Sequence, residues 1–100
     1  MITSVEPLTG PVPQELALHQ NYPNPFNPNT TIGYELPKSS KVKLSVYDML
    51  GREVSVLVDD RRDAGVHEAK FDGSGLSGGV YFYRLQAGDF VQAKTFVLLK

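Results

Sequence analysis

The chain has 100 residues, 41% of them hydrophobic, a formal net charge of -1, and neither cysteine nor tryptophan. That length holds one domain with a real core. The near-neutral mixture of charges argues against an electrostatic nucleic-acid binder, which would carry a basic stripe, and the missing cysteines exclude disulfides and thiolate metal sites. No apolar run reaches the roughly 18–20 residues of a membrane-spanning helix.

All seven prolines (Pro7, Pro11, Pro13, Pro23, Pro25, Pro28 and Pro37) precede residue 38. Residues 1–14 read as a semi-rigid linker, and residues 15–100 as the folded body. The opening Met1-Ile2-Thr3-Ser4-Val5-Glu6 has no basic region followed by an apolar stretch, so it does not read as a secretory leader. A start that runs straight into a proline-containing polar tract is expected of a domain taken from a longer chain.

Next comes Asn21-Tyr22-Pro23-Asn24-Pro25-Phe26-Asn27-Pro28-Asn29-Thr30-Thr31. Each proline fixes its own φ and pushes the preceding residue out of the helical region, so this stretch is stiff and non-helical. With Tyr22 and Phe26 inside it, the segment reads as a rigid cap over the edge of a β-domain, anchored by both rings.

Beyond the cap the apolar residues repeat with period two, the signature of strands. Ile32, Tyr34 and Leu36 share a face. So do Val42, Leu44 and Val46, after a turn at Pro37-Lys38-Ser39-Ser40. Met49-Leu50-Gly51-Arg52 reads as a hairpin turn in which Gly51 takes a positive φ. Val54, Val56 and Val58 are expected on one face of the next strand, which ends in a charged loop, Asp59-Asp60-Arg61-Arg62-Asp63-Ala64-Gly65. His67, Ala69 and Phe71 alternate, then a glycine-rich connection runs from Asp72 to Gly79. The last two strands, Gly79 to Leu85 and Phe90 to Leu99, turn at Ala87-Gly88-Asp89. Tyr81, Tyr83 and Leu85 are expected in the core, with Val80 and Phe82 on the second face. Six strands, or seven with a short one near Leu16 to His19, predict an all-β antiparallel sandwich. A helix over 45–58 is opposed by its β-branched valines and Gly51.

Several motif matches dissolve on inspection. Gly73-Ser74-Gly75-Leu76-Ser77-Gly78 fits the dinucleotide-binding spacing, and Gly75 to Gly79 fits a nucleophile elbow. Both need a helix to follow, and here a strand follows. Asp59, Asp60 and Asp63 suggest Ca²⁺ but lack the alternating oxygen ligands and glycine of a calcium loop. Asn29-Thr30-Thr31 fits a glycosylation acceptor, a pattern frequent by chance. Asp72 is placed to cap the glycine loop. Arg84 and Lys94 lie between apolar neighbours, where their stems can rest on the sheet. His19 and His67 lack local ligand partners, and no nucleophile, base and orienting group assemble. The chain reads as a non-enzyme without cofactor or metal.

The blocks Asn21 to Ile32, Tyr47-Asp48-Met49-Leu50-Gly51-Arg52-Glu53-Val54, Gly65-Val66-His67, Gly79 to Leu85, and Lys94 to Lys100 occur in an order and spacing that resemble the C-terminal sorting domain (type A) of the type IX secretion system of Bacteroidetes and related bacteria. Phe71 stands where that family often has tryptophan, and Gly78 where serine is common. The resemblance implies a seven-stranded immunoglobulin-like domain at the end of a larger secreted cargo, which reaches the cell exterior or surface through the periplasm of a Gram-negative bacterium. It implies an outer-membrane translocon as partner, reading Gly79, Val80, Tyr81, Lys94, Val97, Leu98, Leu99 and Lys100. It also implies a sortase-like peptidase, cutting among Gly10, Pro11, Val12, Pro13, Gln14, Glu15, Leu16 and Ala17. A closing strand is expected to offer its edge or end for strand addition to a receptor. Two other readings compete: a passive immunoglobulin-like module of the hook-assembly-scaffold type, and a carbohydrate-binding module that would use Tyr22, Tyr47, Phe82 and Phe90 as exposed coplanar aromatics.

Overall fold

A computed structural model describes residues 12–100. It contains seven strands: β1 (Ala17–Leu18), β2 (Asn29–Leu36), β3 (Ser40–Tyr47), β4 (Glu53–Arg62), β5 (Gly65–Asp72), β6 (Gly79–Ala87) and β7 (Phe90–Leu98). They form two antiparallel sheets, β1-β2-β5 and β4-β3-β6-β7. The expected all-β sandwich and its short first strand are both present. Because successive strands are antiparallel, their connections alternate between two poles. Residues 37–39, 63–64 and 88–89 lie at one; residues 48–52, 73–78 and 99–100 lie at the other.

The period-two pattern places Ile32, Tyr34 and Leu36 of β2, Val42, Leu44 and Val46 of β3, and Tyr83 and Leu85 of β6 in the core, all 1% exposed or less. At the second pole Phe26, Phe71, Phe96 and Tyr81 gather, with Phe26 meeting Phe96 edge-on at 4.8 Å between centroids. Edge-to-face aromatic pairs add to the stabilisation from burial alone. Phe71 fills its position at 5.6 Å from Phe96 without needing an indole.

Strand β4 departs from the expected reading twice. Its pairing with β3 jumps between Leu44 and Ser45 and again between Val46 and Tyr47, leaving Leu57 and Val54 as extra residues. Each bulge resets the alternation, so Val58 is buried while Val54 and Val56 are exposed. The supposed charged loop is also strand: Asp59, Asp60, Arg61 and Arg62 pair with Lys43, Val42, Lys41 and Ser40, leaving only residues 63–64 to turn. Alternation sends Asp59 and Asp60 to opposite faces, and among the described residues no group of three His, Asp or Glu side chains is placed to hold a metal.

Candidate functional site

The proline-rich segment is a strap along the last strand, not merely a lid. Phe26 bridges Leu98 in parallel: the Phe26 N–H donates to the Val97 carbonyl at 3.0 Å, and the Leu99 N–H donates to the Phe26 carbonyl at 2.8 Å. The Asn24 side-chain oxygen accepts from the Val97 N–H at 3.0 Å, and Gln20 Nε2 donates to the Thr95 carbonyl at 2.7 Å. Prolines lack N–H groups, and the strap's side chains extend its contact with β7 beyond the backbone bonds, Gln20 as donor and Asn24 as acceptor. Buried Asn21 donates through Nδ2 to the Pro23 carbonyl and Thr30 Oγ1, both at 3.1 Å. Its N–H donates to the Tyr83 hydroxyl at 2.9 Å, which in turn donates to the His19 carbonyl at 2.7 Å. Burial pushes the Tyr83 phenol up to about 12, the Asn21 N–H opposing it. The peptide bonds preceding Pro23, Pro25 and Pro28 are cis.

Two expectations change here. Phe26 is buried at 2% exposure, but Tyr22 is 81% exposed and anchors nothing, although its backbone exchanges two hydrogen bonds with Thr31. Nor is the edge of β7 open at its C-terminal end, because the strap takes the backbone groups of Val97 and Leu99. The unoccupied part of that edge lies around Val91 and Ala93, where the described residues make no backbone bond beyond β6.

The candidate recognition residues mostly converge. Gly79 pairs with Leu98, Val80 with Val97 and Tyr81 with Phe96, which joins the start of β6 to the end of β7 at the second pole. Gly79 has φ +145°, a region side chains rarely adopt. A Cβ at Gly78 would lie 3.0 Å from Lys100 Cγ and would ask the Lys100 stem to give by a few tenths of an ångström; as it stands, Lys100 Nζ donates to the Ser74 carbonyl at 2.8 Å. Tyr81 and Leu98 face the core, while Val80, Leu99 and Lys100 face solvent and Val97 is half-buried. Lys94 stands apart, opposite Tyr83 in mid-strand; four residues of strand separate it from Leu98, about 13 Å.

Asp72 does cap the glycine loop, accepting from the Ser74 N–H at 2.9 Å, and that bond holds its carboxyl below the usual range. His67 sits at the core margin, stacked on Tyr34 at 5.2 Å. Arg84 lies on the outer face, its Nη2 donating to the Tyr47 hydroxyl at 2.8 Å and its guanidinium over the Tyr47 ring. Tyr47 and Phe82 stack at 5.7 Å, with Tyr47 nearly buried. Tyr22, on the strap, and Phe90, on an inward position of β7, lie elsewhere, so the four aromatics make no coplanar platform.

Of the cleavage residues, Gly10 and Pro11 lie outside the described residues. Val12, Gln14 and Glu15 are exposed and Pro13 is half-buried; Leu16 packs against the core and Ala17 already pairs with Glu35 in β1.

Residues 20–99 match the family described as secretion system C-terminal sorting domain. The chain belongs to that family. This bears out the resemblance to type IX sorting domains read from the sequence blocks. No curated protein and no solved structure matches the chain. Within the sorting domain, the block Asn21 to Ile32 holds the strap and the start of β2, while the turn inside Tyr47 to Val54, the start of Gly79 to Leu85 and the end of Lys94 to Lys100 meet at the second pole.

One feature of this pole escaped the sequence reading. The connection between β3 and β4 displays Met49 and Leu50 at 66% and 78% exposure, and Met49, Leu50 and Arg52 face residues 78–81 across a shallow concavity of about 300 Å³. The signal was available: two large apolar residues inside a hairpin turn have no core to enter.

Proposed function

We propose that this sorting domain carries a fused upstream cargo through the type IX secretion system to the cell exterior or surface, without itself performing chemistry. An outer-membrane translocon recognises the second pole, where Gly79-Val80-Tyr81 lies against Val97, Leu98, Leu99 and Lys100; Lys94 contributes separately from mid-strand. The route runs through the periplasm of a Gram-negative cell. A sortase-like peptidase then releases the cargo by cutting at or before Glu15, since Leu16 and Ala17 belong to the folded body.

The observation that carries this reading is the joining of β6 and β7 in one solvent-facing corner, braced from outside by the strap. Such a carrier folds before export and is read as a surface. Deleting residues 20–100 from the full-length protein tests it. The account expects cargo to stay inside the envelope; cargo found outside at the wild-type level would overturn it. Unchanged secretion together with failed filament assembly would favour a hook-scaffold module instead.

A further inference from the structure

Hairpin turns favour glycine, proline, asparagine, aspartate and serine for conformational reasons, and nothing in the folding of this turn calls for methionine and leucine at its tip. Yet Met49 and Leu50 occupy it, and the surrounding bonds fix the backbone that carries them. Asp48 Oδ1 accepts from the N–H groups of Leu50 at 2.9 Å and Arg52 at 3.0 Å, while Oδ2 accepts from Arg52 Nε at 2.8 Å. The Gly51 N–H donates to the Asp48 carbonyl at 3.0 Å, with Gly51 at φ +83°. Those bonds, the Arg52 N–H first, keep the Asp48 carboxyl below the usual range. Two apolar side chains are therefore displayed from a fixed turn, so less conformational freedom is lost on binding.

The tip is not isolated. Across the concavity stand Gly79 and Val80, and Leu99 lies one residue beyond the strand partner of Gly79. Among the described residues, four of the ten exposed large hydrophobic side chains, Met49, Leu50, Val80 and Leu99, thus share one pole. Clustered exposed apolar side chains mark interaction surfaces, whereas scattered ones are ordinary. Asp48 and Arg52 neutralise each other beside the tip, so the turn itself presents apolar surface without net charge.

We infer that Met49 and Leu50 form a second half of the translocon recognition surface, inserting into an apolar protein pocket on the partner that also receives Val80 and Leu99. This rests on the sorting reading above and extends it to a turn on another hairpin. The occupant is aliphatic or aromatic protein surface, because there is no unpaired charge at the tip to select a charged one. Continuity with the Gly79-Val80-Tyr81 corner makes the translocon the partner.

The test is export of a reporter fused ahead of the whole chain, in a bacterium carrying the type IX system. Met49→Asp/Leu50→Asp should lower the extracellular reporter by roughly tenfold or more, as removal of a central apolar anchor does, with the melting temperature of the purified protein unchanged. The uncharged pair Met49→Gln/Leu50→Gln should lower it in the same direction. Val66→Asp, which alters a side chain 65% exposed on another face, should leave export intact. If Val80→Asp blocks export while both Met49/Leu50 pairs export normally, the inference is wrong and the sorting reading stands. If none of these variants affects export, the inference is wrong and so is the placing of recognition at this pole. If Val66→Asp is as damaging as the turn variants, the patch has no special role.

Discussion

The two poles of the sandwich are built on different terms. At the first, residues 37–39, 63–64 and 88–89 are brief connections that hold no large exposed apolar residue themselves, with exposed Val66 and Val91 just inside the strands that follow. At the second, the Met49-Leu50 turn, the glycine-rich connection, the strap's Phe26 and the end of β7 meet, and apolar side chains face water. The first pole only reverses the chain. The second carries more tertiary bonding than chain reversal requires, and the contrast points to where the molecule is recognised.

The sharpest way to break that contrast is to remove the strap's anchor. Phe26→Ala deletes a buried ring packed on Phe71 and Phe96 and should cost about 3–5 kcal/mol in urea unfolding; Lys38→Ala at the first pole should stay within about 0.5 kcal/mol. Equal, small losses would remove the strap from the account. Next in size is Tyr83→Phe, which leaves the buried Asn21 N–H without its acceptor and should cost about 1–3 kcal/mol. Tyr83 also sets a pH limit. Its folded value is raised to about 12 from 10.0, so its contribution is complete below the unfolded value and is lost as pH climbs through the folded one. Alkaline unfolding between those values should flatten in the Phe variant. Gly79→Ala forces a side chain into φ +145° and should cost about 1–3 kcal/mol, read from its melting curve. The smallest effect is acid sensitivity. Asp48 and Asp72, held down chiefly by backbone N–H groups, and Glu53, held down chiefly by Lys43, all lie at or near the second pole. Their lowered folded values mean their support is present above the ordinary carboxylate range and fades as pH falls through the folded values. Asp48→Asn should shallow the acid limb of stability against pH.

Much of this was legible from alternation alone. Ile32, Tyr34 and Leu36, or Tyr81, Tyr83 and Leu85, declare their inward face because a strand's period of two has no slack. Alternation fails where a residue is inserted: nothing in Val54 to Val58 announces the two bulges, which arise from pairing with β3. The run from Asp59 to Arg62 resembled a loop because its charges are polar, yet cross-strand partners such as Lys41 and Lys43 accommodate them in a sheet. The strap's stiffness was visible in its prolines; its attachment to Val97 and Leu99 is a contact across some 70 residues that no local pattern encodes. Gly79 and the chain's last residues were found as sequence blocks, and only the register of β6 with β7 shows them as one corner. Met49 and Leu50 read as turn residues with no core to enter; that they share a pole with Gly79 and Leu98 emerges only from the fold.

The most direct test of the two-pole account is hydroxyl-radical footprinting of the domain with and without the purified outer-membrane translocon. The account predicts protection at Met49, Leu50, Val80 and Leu99, with Lys38 and Val66 unchanged. Protection concentrated at residues 37–39, 63–64 and 88–89, with the Met49-Leu50 turn still open to the radical, would contradict it.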